Sequence, residues 1–445
     1  MHRDSLQREE LTTEDLLRAQ DRWRVVQARQ KSGIRPSLAL LWLLIGPGIL
    51  VMLGENDAPS MLSYAATGAQ YGIGFFLPFI LVTFGMAWVV QEMTVRLGAA
   101  THRGHAELIF DRFGRFWGLF ATADLALGNF LTLVTEFIGM RTGLGFFGIP
   151  GWMAVLGGLL VVLAATLSRR YWTWERLVLA LAIFNGLFVP VALLAHPNLP
   201  AVGRAFVTWS PLPGGWHLST LTMIMADIGA TVTPWMLFFQ QSAVVDKGLS
   251  TQEIRHARLD TGLGAFLAAA FAIATVIATA PLFHHLSAAA FQSASFAQAL
   301  QPYVGHVGAA LFALGIFEAG LVAAVTISTS SAYAFGEVAR AGRSLNRSPR
   351  EAWPFYLVLL LSAALAGALV LIPGAPLESI IIIVNVFAVL AMPPALLFLL
   401  LLVNDREIMG DQANGFWANL AVGLVAFLIT GAGLFYGLSS VFGSH

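Results

Sequence analysis

From Leu38 to Tyr436 the chain is a succession of apolar stretches, parted by charged clusters and Gly/Pro breaks. Most are near the ~20 residues that a helix needs to cross a bilayer. Eleven spans follow: Leu38–Ser63, Ile73–Leu97, Phe116–Leu144, Trp152–Leu167, Leu177–Leu194, Leu218–Val244, Thr261–Leu282, Val307–Ala334, Phe355–Ile372, Ser379–Val403 and Phe416–Tyr436. Composition agrees, since 57% of residues are hydrophobic and 11% charged, less than half the charged share of a soluble globular protein. The expectation is an all-α protein of the lipid bilayer.

The boundaries divide the chain into a polar tail at 1–36, a transport domain of ten helices at 37–403, an eleventh helix at 414–438 and a short outer tail at 439–445. The tail lacks the apolar stretch and cleavage site of a signal peptide and reads as part helical from Thr13 to Gln30. With the N-terminus in the cytoplasm, the tail, Arg96–Arg115, Arg169, Arg170, Arg176, Lys247–Arg258, Arg340–Arg350 and Arg406 share one side. Of the 25 Lys and Arg residues only Arg141 and Arg204 fall on the other, as the positive-inside rule requires. Such a chain belongs in a cell membrane, here a bacterial inner membrane. The outer loop Ser287–Leu300 reads as a helix lying on the protein's surface.

Net charge is zero, so no basic field for nucleic acid exists. Cysteine is absent, which excludes disulfides, thiolate metal sites and cysteine nucleophiles. No phosphate-binding loop, nucleophile elbow or dinucleotide fingerprint appears, so the chain reads as neither an ATP-driven pump nor an enzyme, with no cofactor and no obligate protein partner. Trp42, Trp152, Trp172 and Trp417 lie near span ends, where interfacial anchors sit. His284, His285 and His306 fall in outer loops without ligand spacing.

Two spans carry residues that a continuous helix avoids. Span 1 has Gly46-Pro47-Gly48 and then Gly54-Glu55-Asn56-Asp57-Ala58-Pro59-Ser60; span 6 has Gly229-Ala230-Thr231-Val232-Thr233-Pro234-Trp235. Five spans per half make the second half enter from the opposite side, giving inverted repeats at roughly 37–195 and 217–403. Gly/Pro interruptions at matching places in two halves point to a transport site at the bilayer midplane; the plainer reading is two proline kinks in a bundle.

Inside the spans lie Glu55, Asp57, Asp124, Glu136, Asp227 and Glu318, with almost no Lys or Arg. Cation handling accounts for them economically, because a buried carboxylate is neutral, paired, wet or holding a cation. Asp57 leads as a ligand, since unwound backbone beside it exposes carbonyl oxygens; its alternative is a helix cap. Glu55 either lines the vestibule or caps the break. Asp124 and Glu136 are either a proton path or protonated structural acids.

The span 1 run resembles the first helix of the Nramp family of divalent-metal transporters, whose break usually reads D-P-G-N. The span 6 run is similar to that family's G-A-T-x-M-P-H, and Gln91-Glu92-Met93-Thr94-Val95-Arg96-Leu97-Gly98 to its Q-x-x-A-x-R-L-G. The resemblance implies a leucine-transporter-like fold with metal held between broken helices 1 and 6. It further implies Asp57 as carboxylate ligand, Ser60 in place of the asparagine, Ala230 as carbonyl ligand, Thr233 in place of the methionine, and Asn385 where a glutamine sits near the metal.

The departures are informative. With Thr233 the soft thioether is gone, and oxygen donors suit magnesium or manganese. Together with Gln240-Gln241-Ser242-Ala243-Val244-Val245-Asp246-Lys247-Gly248, this resembles the Nramp-related magnesium transporter branch. Trp235 stands where the family has a histidine and Leu133 where span 3 has an aspartate, both usual parts of the proton route. Either Glu55, Asp124 and Glu136 carry protons instead, or metal moves passively. The expectation is a divalent cation importer with weak or absent proton coupling; the alternative is an ion-coupled transporter of a small organic solute on the same fold.

Overall fold

A computed structural model describes residues 45–166, 170–212, 215–283, 296–373 and 377–442. The tail at 1–36, the start of span 1 with Trp42, Arg169, His284, His285, residues 287–295 of the expected surface helix and 443–445 lie outside them.

Nine helices among the described residues are long and apolar enough to cross a membrane; the shorter Gly151–Thr166 and the divided first span bring the spans to eleven. Span 1 is two half-helices, Pro47–Glu55 and Ala58–Tyr71, and span 6 is another two, Leu218–Gly229 and Pro234–Lys247. Pro47, Pro59 and Pro234 each sit in a first helical turn, where a missing N–H costs nothing. The prolines therefore start the half-helices rather than kink continuous ones.

Spans 3 and 8, Arg115–Gly145 and Phe296–Val338, pack along each other as a scaffold, and the first half of span 1 lies on span 7. Span 6 is the innermost element, 94% of its apolar window being buried, whereas span 11 at 22% is peripheral. Gly139 of span 3 permits a close approach to span 1, because a Cβ there would lie 2.2 Å from the Ala58 Cβ.

A basic face assembles at one end of the spans. Arg96 and Arg258 meet Glu92, Arg112 meets Asp405 and Glu407, Arg340 meets Asp111, and Arg343 meets Glu107. The Glu92 pairs tie span 2 to span 7, and the others join the ends of spans 8 and 10 to a short helix, His105–Phe113, whose first amides donate to Glu337. Arg141 lies on the opposite side, donating to the Val370 carbonyl at the end of span 9.

Several expectations need correction. Trp172 is not an interfacial anchor but is buried beneath the Lys247 ammonium, 4.9 Å from its ring. The helical run Phe296–Val338 is two helices that meet at Gly305, whose φ is 71°, so Phe296–Leu300, the described end of the expected outer helix, is helical and precedes span 8. Span 5 starts at Tyr171 and passes through a 3₁₀ segment, Ile183–Leu187. A helix at Leu199–Thr208 was missed, although Asn198 as its cap and Pro200 in its first turn are sufficient signals.

Candidate metal site

The two breaks face each other. Asn56 interrupts span 1, and its side-chain Nδ2 donates to the Ala268 carbonyl of span 7. Asp57 then caps the second half-helix, its Oδ1 accepting from the Ser60 amide at 2.8 Å. The cap and ligand readings of Asp57 are thus compatible, because a carboxylate has acceptor sites to spare. Glu136 reaches the same place from span 3, where its Oε2 accepts from the Ala58 amide at 3.1 Å and its carboxyl stands beside Asp57.

From span 6, the Thr233 hydroxyl donates to Glu55 Oε2 at 2.8 Å, and the Ala230 carbonyl accepts from the Tyr64 hydroxyl at 2.8 Å. Asn385 of span 10 donates to the Pro59 carbonyl and the Ser63 hydroxyl. Asp57, Ser60, Ala230, Thr233, Asn385, Glu55, Glu136 and Trp235 are therefore gathered around the breaks, none more than 4% exposed. The arrangement is closed from both sides.

Asp124 is not part of this group. It is half-buried, and twelve residues of helix put it ~18 Å from Glu136 along the span 3 axis. The span 3 axis carries Glu136 to the break and leaves Asp124 toward the basic face, so the two acids do not share one site. Asp227 is bonded to Thr67, and Glu318 to Asn185 of span 5. His306 is exposed against the Phe146 ring.

Among the described residues, no three His, Asp or Glu side chains form a ready-made metal cage. The breaks offer instead the Asp57 carboxylate with hydroxyl and carbonyl oxygens, the donor chemistry of hard cations. Buried oxygens remain unsatisfied there: Glu55 Oε1, Asn56 Oδ1 and Glu136 Oε1 have no hydrogen-bond partner. Acceptors left open beside the break can take donors such as the waters of a hydrated ion. The buried Trp235 indole N–H faces Glu55 without closing a regular hydrogen bond. Tyr64 was missed by sequence reasoning; its spacing of seven residues from Asp57, two helical turns, is the signal that places both on one face.

Residues 48–438 match the family model described as Nramp, natural resistance-associated macrophage protein-like. The divalent metal cation transporter MntH of Yersinia enterocolitica is 25% identical over 421 residues, covering 92% of this chain and 97% of that protein. Among solved structures, a mutant of the Eremococcus coleocola manganese transporter aligns with a TM-score of 0.72 at 22% identity, covering 92% of this chain and 90% of its own. MhsT in complex with L-phenylalanine aligns with a TM-score of 0.59 at 15% identity, covering 88% and 98%.

Proposed function

The chain belongs to the Nramp family, as a divalent metal cation transporter and not an enzyme, and from that premise we propose that it imports Mg2+, with Mn2+ as a second substrate, without obligatory proton coupling. The observation that carries the proposal is the Thr233 hydroxyl, engaged with Glu55 at 2.8 Å, at the position that the resemblance assigns to the family's soft ligand. An oxygen there removes the preference for softer transition metals, and small oxygen donors suit an ion that keeps part of its water shell.

Each ligand assigned by resemblance has a role in this reading. Asp57 supplies the charge, Ala230 a carbonyl, Ser60 and Thr233 hydroxyls, and Asn385 holds the second half-helix of span 1 through Pro59 and Ser63. Glu55 and Glu136 flank Asp57 and accept from the ion's waters. Trp235 and Leu133, both buried and without a titratable group, interrupt the family's proton route. The driving force is then the membrane potential, which gives two charges ~4.6 kcal/mol per 100 mV. The bacterial inner membrane with a cytoplasmic N-terminus is the setting that the basic face supports.

Transport proceeds by exchange between closed and open states. Inward release separates the first half of span 1 from span 7, breaking the bonds from the Gly46 and Gly48 amides to Asp260 at 3.0 and 2.8 Å. Competitive uptake of Mg2+, Mn2+ and Ca2+ into proteoliposomes, with interior pH followed in the same vesicles, tests the proposal. Mg2+ uptake at constant interior pH is expected; Mn2+ uptake that Mg2+ fails to compete, or stoichiometric acidification, contradicts it.

A further inference from the structure

We propose that Asp227 forms a second, outer divalent-cation site on span 6, one helical turn before the break, where an incoming ion is held before it reaches Asp57. The inference rests on the reading of the breaks as a divalent-metal site, and adds to it a carboxylate that this reading does not use.

Asp227 is fully buried, and among the described residues its only side-chain partner is the Thr67 hydroxyl, 3.0 and 2.9 Å from its two oxygens. Among the described residues, no Lys, Arg or His pairs with it. It also occupies the last turn of Leu218–Gly229, the end at which the helix dipole is negative and a carboxylate is repelled rather than stabilised. A structural acid serves a helix at its opposite end. A buried carboxylate placed against the dipole, without a cationic side chain, has its charge balanced most directly by a cation.

The surroundings are oxygen donors suited to a hard ion. The Thr231 hydroxyl donates to the Asp227 backbone carbonyl at 2.8 Å, and lies 3.0 Å from the Thr83 hydroxyl and 2.9 Å from the Tyr64 hydroxyl. Tyr64 in turn donates to the carbonyl of Ala230, a proposed ligand of the central site. A continuous series of oxygens from spans 1, 2 and 6 therefore leads from Asp227 to the break. Thr67 lies ten residues beyond Asp57, ~15 Å along the half-helix, on the side away from the basic face. In the closed arrangement its hydroxyl occupies the carboxylate; parting of the two half-helices frees Asp227 for an ion arriving from outside.

Initial rates of Mn2+ uptake into proteoliposomes, measured against Mn2+ concentration for wild type, D227N, D227E and T67V, test the site. D227N is expected to raise KM by about tenfold while leaving the maximal rate within about threefold, and D227E to recover part of the loss. T67V, which removes the competing hydroxyl, is expected to lower KM, and decides the matter if D227N does not fold. Unchanged KM in the variants, or a fall in maximal rate alone, overturns the outer site and leaves Asp227 as a latch. Absence of both Mn2+ and Mg2+ uptake in wild type instead overturns the reading of the breaks, and the outer site with it.

Discussion

Thr233 and Glu55 are joined across the two breaks by a 2.8 Å hydrogen bond, the hydroxyl donating to Oε2. Because Thr233 is the cap residue of the second half of span 6 but makes no cap bond of its own, its hydroxyl is committed to the other half of the transporter. One oxygen thus ties the half-helices together and, in the proposed function, sets the donor chemistry.

Thr233→Met replaces that oxygen with a thioether. Uptake of Mg2+ relative to Mn2+ is expected to fall by about tenfold, measured by competition in proteoliposomes. An unchanged ratio places metal selection elsewhere.

Gly139→Ala is expected to cost about 1–3 kcal/mol, because the added Cβ would sit 2.2 Å from that of Ala58, where the second half of span 1 begins. The companion change Ala58→Gly removes the opposing atom. Thermal unfolding in detergent is expected to show a lowered Tm for G139A and recovery in G139A/A58G.

Lys247 and Glu175 form a buried pair at 2.8 Å with side chains 1% and 2% exposed, and Lys247 also donates to the Ile45 carbonyl ahead of span 1. Lys247→Met leaves Glu175 buried without its partner, at a cost of about 3–5 kcal/mol. Adding Glu175→Gln removes the stranded charge, so a melting comparison is expected to show the double variant more stable than K247M.

His105, on the short helix outside the spans, donates from Nδ1 to Gln241 Oε1 at 2.8 Å while its Nε2 has no partner. Burial pushes its pKa down from 6.5 to about 4. Between those values the unfolded chain binds a proton that the folded chain does not, so stability is retained above pH 6.5 and falls as pH drops toward 4, by about 3 kcal/mol in total. His105→Gln is expected to flatten the dependence of Tm on pH across that window.

Much of this was legible because it is local. The prolines mark the half-helix starts, Asp57 caps a residue three positions on, and the positive-inside count assigns the basic face. What escaped is held by long-range partners. Glu136 reaches Ala58 across 78 residues, and Asp260 holds Gly46 across 214, pairings that leave no period in the sequence. Trp172 looked like an anchor because it follows a span end; only the fold puts Lys247 above it. Asp124 and Glu136 shared a helix, and helix rise alone separated their surroundings.

The central claim is that the Asp57 charge binds the transported ion. Asp57→Asn tests it most directly, since asparagine also caps a helix and can keep the bond from the Ser60 amide while the charge is lost. Mg2+ uptake into proteoliposomes, read beside Tm in detergent, is expected to fall by about a hundredfold with Tm nearly unchanged. Uptake by D57N with the wild-type KM would contradict the account.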